Sequence, residues 1–97
     1  MQPKHFTLHR RAQLGYHTLS DTEQAELDEK LAPLEGVSET QWTTRGAVRL
    51  TSPEPLYLLR IDDDLRAIVR PGPESRPELL DLVRRETLEL FAGQPVP

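Results

Sequence analysis

The stretch from Leu56 to Arg70, LYLLRIDDDLRAIVR, constrains this chain more than any other, because it reads as two strands folded back about an Asp-rich turn. The first arm is rich in Leu, Tyr and Ile. Asp62, Asp63 and Asp64 then interrupt it with short side chains that bond their own backbone and disfavour a ladder, before Leu65, Ile68 and Val69 resume the strand pattern. The resulting β-hairpin carries Arg60, Arg66 and Arg70 at strand positions. Guanidinium groups planted there are suited to holding a polyanion.

Nine prolines fall between the periodic segments, and because proline fixes φ and lacks a backbone donor they mark where elements end. His5 to Leu8 reads as a short first strand, followed by a helix with Ala12, Tyr16 and Leu19 on one face. Ser20 and Glu23 form a capping box for a second helix that runs to about Ala32, with Leu27, Leu31 and Leu34 as its buried stripe. This is a helical hairpin. Gly36 to Thr44 is a polar connector in which Trp42 reads as a plug over the core, and Gly46 to Thr51 alternates like a strand. From Pro77 onward local signals allow two structures: one long helix from Ser75, Pro77 and Glu78 to Ala92, capped by Gly93, or a buried strand Leu79 to Val83 followed by a helix over Arg85 to Ala92.

Composition narrows the function classes. Ninety-seven residues suffice for one domain, and a chain of this size buries only ~65% of its unfolded surface, so a surface cleft is expected rather than a deep cavity. The absence of cysteine excludes disulfides, thiolate metal sites and cysteine catalysis. No apolar run reaches the length of a membrane span or of a signal peptide's core, so a cytoplasmic protein that does not engage the membrane is expected. A net charge of −4 argues against a general nucleic-acid binder, although residues 45–97 hold their positive charge entirely as arginine. His5 and His9 have a helical metal spacing without a third ligand, and the Asp triplet lacks the glycine and distal glutamate of a calcium loop, so no metal or cofactor is expected.

The order of strand, two helices and a run of strands resembles the RelE/ParE superfamily of bacterial toxins over nearly the whole chain. The likeness rests on HFTLHRRAQLGYHTLSDTEQAELDEKLAPL as first strand and helical hairpin, YLLRIDDDLRAIVR as central hairpin, and LLDLVRRETLELF as last strand with a terminal arginine pair. It implies an α+β domain over residues 1–97: an N-terminal strand and helical hairpin packed on a small antiparallel sheet, with a short C-terminal helix. It also implies strand, then helix, for the segment after Pro77.

The resemblance further implies the toxin of a type II toxin–antitoxin system, neutralised by a cognate antitoxin and acting either on ribosome-bound mRNA or on DNA gyrase, as a homodimer or in a hetero-oligomer with its antitoxin. Carried over by position, Arg66 falls on an arginine of the ribonuclease branch's fourth strand and Arg85 on the arginine before its last helix; these are the candidate catalytic residues of a metal-independent endoribonuclease. Arg49, Arg60, Arg70 and Arg84 would complete a substrate-binding surface. Phe91 falls where that branch often has a catalytic tyrosine, and a phenyl ring can stack on a base but exchanges no proton. Arginine stabilises phosphorane-like charge but transfers protons poorly, so the residue set favours phosphate clamping over catalysis. The alternative is a catalytically inactive relative that serves as a protein-binding module through its antitoxin or as a co-repressor. In a further reading the arginines only pair with neighbouring carboxylates.

Overall fold

The computed structural model describes residues 5–87. Its central hairpin forms as the aspartates dictate. Asp62 Oδ1 accepts hydrogen bonds from the backbone N–H of Asp64 at 2.8 Å and of Leu65 at 2.6 Å, closing the turn from within. Strands β3 (Tyr57–Arg60) and β4 (Leu65–Pro71) then pair antiparallel, with Leu59 opposite Ala67 and Arg60 opposite Arg66.

Beyond β4 the chain turns at residues 73–75, where Glu74 and Ser75 take positive φ of 60° and 58°, and Gly72 N–H donates to the Arg76 carbonyl at 2.9 Å. That reversal delivers Pro77 opposite Pro71 and starts β5 (Pro77–Arg84), antiparallel to β4. The local helix signals at Ser75, Pro77 and Glu78 lose to ladder pairing with a strand already in place. Both prolines sit at the end of the ladder, where a missing N–H removes little. Residues 85–87 are helical. The rest of the expected C-terminal helix, Phe91 included, lies outside the described residues.

Strand β1 (Thr7–Leu8) runs parallel to β5, with Thr7 opposite Glu78, and β2 (Val48–Arg49) pairs antiparallel with β3. The five strands are ordered β1-β5-β4-β3-β2. The sheet is therefore mixed, which corrects the expectation of an antiparallel one. Strand direction at this edge is set by a pairing between residues some seventy positions apart, and no local pattern encodes it.

The first helix is shorter than its periodicity implies: a 3-10 turn over Arg10–Ala12 leads into α1 (Gln13–His17). Helix α2 (Asp21–Leu31) begins at the predicted capping box, with Ser20 accepting from Glu23 N–H at 3.1 Å and Glu23 accepting from Ser20 N–H at 3.1 Å. Leu27, Leu31 and Leu34 are fully buried in one cluster with Phe6, Tyr16, Leu59, Leu65, Ala67, Val69 and Leu79. Each such large apolar side chain contributes about 1.5–3 kcal/mol by leaving water. Trp42 is buried edge-on to Tyr57, with ring centroids 5.0 Å apart, and closes the core from the connector. The helices thus cover one face of the sheet and leave the other to a different set of residues.

Candidate functional site

Sheet alternation decides where the candidate arginines stand. Leu65, Ala67 and Val69 of β4 belong to the helix-covered core, so Arg66, Ile68 and Arg70 project from the opposite face, and Arg60 joins them by pairing with Arg66. Arg49 pairs with the core residue Tyr57 and its guanidinium lies 5.7 Å from that ring's centroid; Arg84 pairs with the core residue Leu65. The expected single arginine surface is accordingly divided between two faces. Along the strands the set divides again. Arg60, Arg66, Arg84 and Arg85 cluster around the Asp62–Asp64 turn, while Arg49 and Arg70 stand toward the other end of the sheet.

Most of these cations already hold a partner. Arg60 is ion-paired with Asp63. Arg70 Nε donates to Glu78 at 2.7 Å, and its Nη1 lies 3.7 Å from Glu54. Arg84 Nη1 bridges Glu23 at 3.0 Å and Asp64 at 3.2 Å, joining β5 to the start of α2 and to the hairpin turn. Arg49 Nη1 donates to the Leu50 carbonyl at 2.5 Å. Arg85 follows β5 directly, and its backbone N–H donates to the Asp64 carbonyl at 2.6 Å.

Arg66, one of the two candidate catalytic residues, is only 4% exposed. Its Nη1 donates to the Asp62 carbonyl at 2.6 Å and reaches the Leu65 carbonyl at 3.3 Å, while its Nε has no partner among the described residues. A buried guanidinium that binds turn carbonyls braces the hairpin from below. A substrate phosphate could reach it only after the strand end opens. Sequence places an arginine at a strand position but does not say which face is buried, so this role was not legible.

The electrostatics are those of a braced turn. Hydrogen bonds from the Leu65 and Asp64 N–H groups hold the Asp62 carboxyl below its usual range against the opposing effect of burial, with Arg84 and Arg66 adding to the depression. The Glu23 carboxyl is likewise lowered, first by the Ser20 N–H and then by Arg84. Burial pushes the Tyr57 hydroxyl up, and its 2.7 Å hydrogen bond to Glu39 adds to the shift.

The three histidines stand apart from the hairpin. His5 Nδ1 lies 2.9 Å from Glu35 and its Nε2 3.8 Å from Asp28, His9 accepts the Arg11 N–H at 3.1 Å, and His17 packs edge-on to Tyr16. Among the described residues no hydrogen bond, ion pair or ring contact joins any of them to Arg60, Arg66 or Arg84. Among the described residues no group of three His, Asp or Glu side chains is arranged to hold a metal ion, and no helix is long and apolar enough to cross a membrane.

Two cations missed by the sequence reading stand elsewhere. Lys30 on α2 and Arg45, at the end of a 3-10 turn just before β2, line an open cleft of about 440 Å³ together with Glu29, Pro33, Gly46, Leu59 and Arg60. No sequence motif marks them, since they meet only when α2 packs beside the entry to β2. Neither a family model, nor a curated protein, nor a solved structure matches this chain.

Proposed function

We propose that this chain is a RelE/ParE-type domain that acts by binding a protein partner, its cognate antitoxin, and breaks no bond. The carrying observation is the occupancy of the arginines: Arg60, Arg70 and Arg84 each hold a carboxylate, and Arg66 is buried against the hairpin turn. Hydrolytic or transesterifying chemistry on RNA needs a proton acceptor and a proton donor near the phosphate. Among the described residues no hydrogen bond, ion pair or ring contact joins a histidine to Arg60, Arg66, Arg70 or Arg84, and arginine itself cannot serve. The element order of strand, helical hairpin and strand run supports the family assignment.

A second reading, a toxin acting on ribosome-bound mRNA or on gyrase, draws on the cluster of Arg60, Arg66, Arg84 and Arg85 at one end of the sheet. The Arg60–Asp63 pair is exposed on both sides and worth at most about 1 kcal/mol, so an anionic partner can exchange for Asp63.

Expression of the chain alone in a bacterium separates the two. Binding without catalysis predicts unimpaired growth at confirmed expression, no mRNA cleavage on purified ribosomes and no inhibition of gyrase supercoiling. Growth arrest relieved by Arg85→Ala would establish the toxin reading and sink the first. Arg85 is the informative position because it is exposed, whereas loss of the buried Arg66 also disturbs folding.

A further inference from the structure

Two groups of cations among the described residues differ in their partners, and the distinction points away from the hairpin. Arg60, Arg70 and Arg84, on which a polyanion surface would depend, are neutralised within the fold. Lys30 and Arg45 form no hydrogen bond or ion pair through their side chains among the described residues, yet they converge on one cleft from two different elements. Arg60 also lines the cleft from the end of β3, but its guanidinium is ion-paired with Asp63. Glu29 is the cleft's one carboxylate, so the wall carries an excess of positive charge.

The remaining surfaces are apolar: buried Leu59 forms part of the wall and Pro33 another. Gly46 adopts φ of 97°, a left-handed conformation, and an added Cβ there would meet nothing within 4 Å, so the glycine is kept for backbone geometry and leaves the rim open. At about 440 Å³ the cleft lies in the range of small-molecule sites, roughly 300–1,000 Å³, which combine apolar walls with a few placed polar groups.

We propose that this cleft binds a small phosphorylated ligand of mononucleotide size, with Arg45 and Lys30 on the phosphate and Leu59 and Pro33 against its ring or sugar. Arg45 offers a planar fork that matches two phosphate oxygens, and Lys30 supplies a mobile point charge. A long polyanion is disfavoured by the chain's net charge of −4, which repels phosphates extending beyond the cleft. The site is independent of the antitoxin reading, because it uses a different set of cations.

The test is calorimetric titration of the full chain with uridine monophosphate, uridine, inorganic phosphate and a single-stranded RNA oligonucleotide. The expected result is saturable binding of the monophosphate, weaker binding of inorganic phosphate and none of uridine. Lys30→Gln and Arg45→Gln should each weaken the monophosphate about tenfold, the loss of one charge-assisted contact. Arg10→Gln, which removes an equal charge from an exposed position on another element, should change nothing, and all three variants should melt like the parent. Equal binding of uridine, absence of monophosphate binding, or equal weakening by Arg10→Gln would overturn the proposal. Tighter binding of the RNA than of the monophosphate would overturn the small-ligand assignment as well.

Discussion

Arg60 and Arg66 stand directly opposite each other in the β3–β4 ladder, two like charges at a cross-strand pair where repulsion is expected. The hairpin avoids that cost by sending them to different partners. Arg60 turns outward to Asp63, and Arg66 turns into the hairpin to bind the Asp62 carbonyl. The Asp-rich turn therefore does two jobs: it closes the chain reversal and supplies the negative charge and carbonyls that let two arginines share one ladder position.

The three aspartates are not equivalent. Of the three, Asp62 alone accepts two backbone N–H groups, so Asp62→Ala should lower stability by about 1–3 kcal/mol, whereas Asp63→Ala should fall within about 0.5 kcal/mol of the parent because both members of its ion pair are exposed. Urea unfolding measures both. Equal losses at the two positions would mean that the turn is not organised by Asp62.

Arg84 ties β5 to α2 through Glu23, a contact between residues 61 apart in sequence. A double-mutant cycle with Glu23→Gln and Arg84→Met should return a coupling of about 0.5–1 kcal/mol, small because both groups remain partly exposed. Glu23→Gln keeps an acceptor for the Ser20 N–H, so the cycle isolates the ion pair from the cap. A coupling indistinguishable from zero in low salt would show that the pair has no energetic role.

Stability should fall on the acid side. The folded-state pKa values of Asp62 and Glu23 lie below their ordinary values, so both carboxylates favour the fold above the unfolded carboxylate range, about pH 4, and that contribution is lost as pH falls through the lower folded values. Urea midpoints measured across this range should drop, and the drop should be shallower in Asp62→Asn. An acid limb as steep in that variant as in the parent would exclude Asp62 as a source.

Gly72 has a packing reason to be glycine. An added Cβ would sit 2.7 Å from the Arg76 carbonyl oxygen, an atom that accepts the Gly72 N–H across the β4–β5 connection. Gly72→Ala should cost about 1–3 kcal/mol by overpacking, visible as a lowered thermal midpoint. An unchanged midpoint would mean that the connection relaxes freely.

What the sequence alone determined are features whose physics acts within four residues. The Ser20–Glu23 capping box, the Asp62 turn and the Leu27, Leu31 and Leu34 stripe each arise from neighbours in the chain, and they stand where the pattern puts them. Tertiary structure decided the rest. Whether Pro77–Arg84 is strand or helix depends on β4 being present as a template, and the parallel direction of β1 depends on where the sheet's far edge lies. The occupancy of the arginines is of the same kind: Arg84 meets Glu23 and Arg11 meets Asp81 across separations of 61 and 70 residues, so composition counts the charges while only packing neutralises some and leaves Lys30 and Arg45 to face a cleft. Electrostatic and ladder interactions act through space, and a one-dimensional pattern records only those between residues that are also near in the chain.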